Sequence, residues 1–214
     1  MKRSVSVVDY GMGNLRSVNM ALKHCGGEVR IIDSPDQIRQ ADRLVLPGVG
    51  AFADGMAELQ ARGLAAAIQE YARRGRPFLG ICLGMQMMFE KSAEFQDTAG
   101  LSLLPGKIVA IPPTAADGAP HKIPHIGWNR LLIPATGADW DKTNLQGIEP
   151  GAAVYFVHSY TAAPDRAADR LADCDYHGRI ISAAVRWKNL SGCQFHPEKS
   201  GTIGLKILEN FLEL

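Results

Sequence analysis

The sequence predicts an α/β fold, a single domain over residues 1–214 in which a mostly parallel central sheet is flanked by helices, with some antiparallel strands in the C-terminal half. Three observations predict it. Short β-branched runs alternate with helix-periodic segments through the first part of the chain, and that alternation requires parallel strands with helices on both faces. A buried strand then turns sharply on one cysteine, Cys82, held between Gly80 and Gly84. Beyond Lys107 the texture changes to short apolar runs split by turn residues, which suits antiparallel pairs.

Residues 4–9 are a continuous β-branched run and read as a first buried strand. Residues 14–25 carry Leu15, Val18, Ala21 and Leu22 at helical spacing, with Asn14 as the N-cap. Strands are expected at 28–32 and 43–46. After Pro47-Gly48-Val49-Gly50 come helices around 56–60 and at 64–74, the second ended by Gly75. The strand at 78–81 passes through Cys82 into a helix from Met85. Further strands are read at 107–111, 153–157, 170–172, 180–185 and 190–195. Between them, residues 112–124 hold four prolines and read as a surface loop. A closing helix at 202–214 places Ile203, Ile207, Leu208 and Phe211 on one stripe.

Composition excludes several classes. A net charge of +1 gives no broad field for nucleic acid or an anionic membrane. No apolar stretch reaches the ~18 residues that read as a membrane span, and the start Met-Lys-Arg-Ser-Val lacks a signal-peptide core, so a cytoplasmic protein is expected. Four scattered cysteines make no disulfide framework in a chain of 214 residues. Cys25, Cys174 and Cys193 read as small buried or half-buried side chains. Cys193 and His196 have C-x-x-H spacing, but no second pair completes a zinc site, so neither metal nor cofactor is expected. Gly11-Met12-Gly13 with Asp33 downstream mimics a dinucleotide fingerprint, yet Arg16 stands where its third glycine is needed for close packing.

The chemistry concentrates at two places. Gly80 and Gly84 let the backbone bend and the flanking elements approach, which lifts the Cys82 side chain above the strand end, as in a nucleophile elbow with cysteine in place of serine. A helix beginning just beyond the sulfur favours a thiolate there. Such a nucleophile needs a base and an orienter. His196 precedes Pro197 and is therefore extended, and residues two apart in an extended segment share a side, which puts Glu198 beside its ring.

Gly80-Ile81-Cys82-Leu83-Gly84-Met85-Gln86 together with Phe195-His196-Pro197-Glu198 resembles the triad-type class I glutamine amidotransferases, whose fold is flavodoxin-like. The resemblance implies that Cys82 attacks the side-chain amide of glutamine, that His196 protonates the leaving ammonia and then activates water, and that Glu198 fixes the tautomer of His196. It also implies an oxyanion hole from the amides of Leu83 and Val49. A loop with two glycines turns a peptide over at low cost, so the Val49 donor is expected to point away at rest. Gln86 is similar to the family's glutamine-binding residue, and Gly50, Ser159 and Tyr160 are expected to complete the pocket.

Four segments, the last extending the histidine motif, resemble the glutaminase subunit family of imidazole glycerol phosphate synthase: 9–18, 124–129, 155–160 and 195–200. That resemblance implies a (β/α)8-barrel cyclase subunit as heterodimer partner and ammonia as the product handed over, within histidine biosynthesis. Asn14, Arg16, His125, Trp128 and Lys188 are the candidates for the docking face, with a core position as the alternative for Trp128. The proline-rich segment 112–121 matches no motif. The rival readings are a glutaminase serving another acceptor, such as pyridoxal phosphate synthase, a partner-independent cysteine hydrolase, and a nucleotide-binding module.

Overall fold

The computed structural model describes residues 3–214; the reading of the N-terminal start also draws on Met1 and Lys2, which lie outside them. β1 (Ser4–Val8) and β2 (Glu28–Ile32) flank α1 (Leu15–His24), whose buried Val18, Ala21 and Leu22 form the expected stripe. Asn14 occupies the N-cap position, but its side chain makes no capping hydrogen bond. A helix that the periodicity does not reveal follows, α2 (Pro35–Gln40), with a single buried side chain, Ile38. Its start is chemical: Gln37 Oε1 accepts from the Ser34 N–H at 3.2 Å, and Pro35 sits in the first turn.

β3 (Leu44–Gly48), α3 (Phe52–Ala61), α4 (Leu64–Arg73) and β4 (Phe78–Cys82) continue the alternation. The helix expected after Cys82 is only one turn, α5 (Leu83–Gln86), before the chain leaves for β5 (Phe89–Ser92). The Met87 and Met88 carbonyls, which a longer helix would use, instead accept the N–H groups of Leu101 and Leu103, each at 2.8 Å. β6 (Thr98–Ala99) and β7 (Leu104–Ala110) come next. β8 (His125–Arg130) and β9 (Ala153–His158) pair as an antiparallel ribbon, and β10 (Tyr160–Pro164) returns to β7. The second sheet, ordered β10-β7-β5-β6, lies outside the sequence reading except for β7. β11 (Arg170–Tyr176), β12 (Arg179–Trp187) and β13 (Leu190–Cys193) precede the closing helix α6 (Gly201–Glu213).

The main sheet has the order β11-β12-β13-β4-β3-β1-β2. β13, β4, β3, β1 and β2 run parallel, whereas β12 runs against them and pairs antiparallel with both β13 and β11, in agreement with the expected mixture. Side chains alternate between its faces with the strand period. Val45, Leu79 and Ile81 face a core closed by Ile207, Leu208 and Phe211 of α6. Leu44, Leu46 and Phe78 face the opposite core with Ile68 and Tyr71 of α4.

Register brings the site together. Gly48 pairs with Cys82, and Cys193 with Ile81, so β3, β4 and β13 end on one edge of the sheet. The Pro47–Gly50 loop, Cys82 and the segment leading to His196 therefore emerge side by side, at the carboxyl ends where open α/β sheets place ligands.

Candidate active site

Cys82 adopts φ 53° and ψ −111°, a left-handed conformation rare for a side chain with a Cβ. The surroundings hold it there. A Cβ on Gly84 would lie 1.8 Å from the Leu46 carbonyl oxygen, and one on Gly80 would lie 2.7 Å from the Cα of Met85. On the neighbouring strands a Cβ would reach within 2.4 Å of the Tyr10 hydroxyl from Gly48 and within 2.3 Å of Met85 Cγ from Gly192. The turn is possible because all four positions lack a side chain, and the packing on both sides leaves it no other course.

His196 is 2% exposed and lies opposite the sulfur. Its Nδ1–H donates to Glu198 Oε1 at 2.8 Å, and both side chains are almost wholly buried. His196 itself is extended (φ −98°, ψ 97°), as the proline after it dictates, but Pro197–Lys199 is a 3-10 turn, and that turn rather than an extended stretch brings Glu198 back to the ring. Nε2 has no hydrogen-bond partner among the described residues, and the group that faces it is Cys82. Burial alone pushes the imidazolium down, but the Cys82 sulfur and the Glu198 carboxylate outweigh it and push the ring up to about 10. The result is a buried imidazolium held between the Cys82 sulfur and the Glu198 carboxylate. The backbone is fixed too: His196 N–H donates to the Tyr155 carbonyl at 2.9 Å, and the Ser200 hydroxyl donates to the His196 carbonyl at 2.7 Å.

Cys82, Leu83, Gln86, Val49, Gly50, Ser159, Tyr160 and His196 line one cavity of about 680 Å³. Every triad, oxyanion and pocket residue singled out in the sequence except Glu198, which stands behind His196, is on that wall. Sequence reasoning missed two residues of the site, Glu94 on the wall and Gln194 behind it. Glu94 lines the cavity while one of its oxygens accepts the Phe52 N–H at the start of α3. Gln194, fully buried, bonds Gln86 and reaches toward Cys82 Sγ. Gln194 directly precedes Phe195-His196, and only that adjacency hints at it. Gln86 is itself buried, with its amide nitrogen turned to Gln194 and the Tyr160 carbonyl.

The docking candidates divide. Asn14 lies in the crevice beneath His196 and Glu198, and Arg16 is exposed on α1. Trp128 is 59% exposed, its edge toward Tyr155, so the core alternative falls. His125 is a correction: alternate residues of β8 face opposite ways, so Ile126 and Trp128 point outward while His125 is buried against His158. Lys188 is a second. It sits in the turn before β13, where Leu190 pairs with Phe78, at the end of the sheet away from Cys82. There it covers the Trp187 ring at 4.4 Å beside a cavity that holds neither a cysteine nor a histidine.

All four cysteines are free thiols; Cys174 and Cys193 are buried and Cys25 is half-buried. Burial pushes the Cys174 and Cys193 thiols up to about 12, which leaves them inert. Among the described residues no group of three or more His, Cys, Asp or Glu side chains is placed to hold a metal ion, and no helix is long and apolar enough to cross a membrane.

Residues 6–214 match the family described as glutamine amidotransferase class-I. The chain is 51% identical to the imidazole glycerol phosphate synthase subunit HisH 1 of Legionella pneumophila (strain Lens) over 99% of both chains. It is 46% identical to the HisH subunit of Syntrophotalea carbinolica over 97% of this chain and 98% of that one. Among solved structures, PurLQS from Thermotoga maritima shares the fold with a TM-score of 0.74 at 21% identity, over all of this chain and 99% of the other. An elbow cysteine, a carboxylate-held histidine and a cavity between them, on a chain this similar end to end, identify a member of the class-I glutamine amidotransferases, among the HisH subunits of imidazole glycerol phosphate synthase.

Proposed function

We propose that this chain is the glutaminase subunit of an imidazole glycerol phosphate synthase, in which Cys82, His196 and Glu198 release ammonia from glutamine for a (β/α)8-barrel cyclase partner. The names of its relatives support the acceptor, and the observation that carries the chemistry is the cysteine facing Nε2 of a histidine whose Nδ1 is held at 2.8 Å by a buried carboxylate.

The Cys82 thiolate adds to the side-chain amide carbon of glutamine, and the N–H groups of Leu83 and Val49 receive the oxyanion. The His196 imidazolium gives its Nε2 proton to the departing nitrogen, so ammonia leaves and a γ-glutamyl thioester remains. His196, now neutral, takes a proton from water as that water attacks the thioester. Collapse expels the Cys82 thiolate and glutamate, and His196 is again an imidazolium. Glu198 keeps the proton on Nδ1 throughout. In the pocket, Gln86, Gly50, Ser159, Tyr160 and Glu94 hold the amino-acid end of the substrate. Glu94 supplies the anionic group that an α-ammonium needs.

Gly50 at φ 103° leaves the loop at Val49 free to take more than one course, so partner docking near the exposed Trp128 and Arg16 sets the Val49 donor. The test is co-purification with a barrel cyclase followed by glutaminase assay with and without the cyclase substrate. Cys82→Ala should abolish synthesis driven by glutamine and leave synthesis driven by ammonium salts. Loss of both in an intact complex would refute the division of labour.

A further inference from the structure

Gln194 is fully buried at the end of β13, and the orientation of its amide follows from its neighbours. The Tyr160 carbonyl can only accept, and Gln86 places Nε2 against it at 3.2 Å. That fixes Gln86: its nitrogen is the donor at this end. The same Nε2 lies 3.0 Å from the Gln194 side chain, so the Gln194 atom facing it must be the acceptor Oε1. The amide nitrogen of Gln194 is thereby turned to the other side, where it stands 3.8 Å from Cys82 Sγ. A chain of three groups ends with an N–H aimed at the sulfur.

We propose that Gln194 is a positioning residue for the nucleophile, a relay that runs from the Tyr160 carbonyl through Gln86 to a hydrogen bond on the Cys82 thiolate. The proposal rests on the assignment of Cys82 as nucleophile made above. An anionic sulfur accepts an N–H far better than a thiol does, so the bond favours the reactive form and fixes its direction. It also has a consequence for substrate. Gln86 and Tyr160 line the glutamine cavity, and a ligand that draws on either one changes the donor at the sulfur. The other titratable groups around Cys82 are His196 from the segment after β13, Tyr10 from the segment after β1, His158 from β9, Tyr160 from β10 and Glu94 from the connection between β5 and β6. Burial and the Cys82 charge push the Tyr10 phenol up and keep it neutral.

The test compares Gln194→Met, which removes donor and acceptor at similar volume, with Gln194→Glu, which keeps the acceptor for Gln86 and deletes the donor. The rate of Cys82 alkylation by iodoacetamide is followed against pH with the site read by peptide mass spectrometry, and glutaminase kcat and KM are measured in the complex with the cyclase. In Gln194→Met the alkylation midpoint should rise by about one pH unit, so that reactivity on the acid side falls about tenfold. KM for glutamine should rise as well, because Gln86 loses its partner. Gln194→Glu should shift the midpoint at least as far while KM stays closer to that of the unaltered protein. A lowered kcat with an unmoved midpoint in either folded variant would overturn the relay, since a merely structural role does not move the titration. If Gln194→Met does not fold, Gln194→Glu alone decides. Absence of any pH-dependent alkylation at Cys82 in the unaltered protein would instead remove the nucleophile assignment beneath it.

Discussion

His125 and His158 share one hydrogen bond, Nδ1 to Nε2 at 3.0 Å, in a buried chain where the place of each proton is fixed. His158 Nδ1 lies 2.8 Å from the Tyr160 carbonyl and must carry its hydrogen there, so its Nε2 can only accept. His125 then donates from Nδ1 and accepts at Nε2 from Asn129, 3.3 Å away. Both rings are neutral. Protonating either one sets two donors against each other.

The pH dependence of stability follows from that chain. Burial pushes His158 down to about 3 and His125 down to about 4, from an unfolded value near 6.5. The unfolded state therefore binds more protons between those values, and stability is lost as pH falls from about 6.5 toward 4. Urea midpoints at pH 7 and pH 4.5 should differ less in His125→Gln than in the unaltered protein. An equal loss in both would show that the histidine pair is not the sensor.

The contact of Gly84 with Leu46 predicts that this elbow position tolerates no side chain. The Leu46 oxygen is backbone of a central strand and cannot yield to a Cβ 1.8 Å away. Gly84→Ala should cost about 3 kcal/mol, at the upper end of overpacking effects, and thermal unfolding reads it. A melting temperature within a degree or so of the unaltered protein would contradict the packing described.

Glu198→Gln tests how the proposed acid is held. The carboxylate is one of the groups that push His196 up, so its loss must lower the pH at which the imidazolium gives up its proton. The alkaline limb of kcat against pH should move down by at least about one unit, with kcat reduced. The Cys82–His196 pair titrates as a unit, and the limb reports that unit. An alkaline limb left in place would mean that Glu198 does not act through the ring.

Gly50 is the next position to probe, because φ 103° lies where a residue with a Cβ is strained. Gly50→Ala should lower glutaminase kcat about a hundredfold by displacing the proposed Val49 donor, the scale of losing one oxyanion contact. Alkylation of Cys82 should continue at its normal rate. Equal damage to both readouts would point to a disturbed cysteine instead.

What the sequence made legible is what local spacing encodes. Gly80, Cys82 and Gly84 bend one turn, and His196 and Glu198 meet across a single proline-started turn, so neither feature needs knowledge of the rest of the fold. Gln194 was beyond reach because its contacts with Gln86 and Cys82 depend on the register of β13 against β4, set by residues far apart in the chain. Glu94 was hidden for a like reason, in the connection between two short strands of the second sheet. Ser34 and Gln37 did spell out the start of α2, but a helix with one buried residue offers no period to read. The edge on which Lys188 lies was not legible either: the strand after it runs the whole depth of the sheet before reaching His196.

The four bare positions around Cys82 divide the cavity into a rigid wall and a compliant one. Gly48, Gly80, Gly84 and Gly192 are filled to contact by neighbouring atoms, so the sulfur has no room to be retuned by a shift of its own backbone. Across from it, Val49 is exposed and Gly50 sits at a φ that leaves the loop several courses. Backbone movement therefore has only one of the two walls to act on. On the function proposed above, a docking partner would leave the nucleophile untouched and still switch turnover, by shaping the wall proposed to receive the oxyanion.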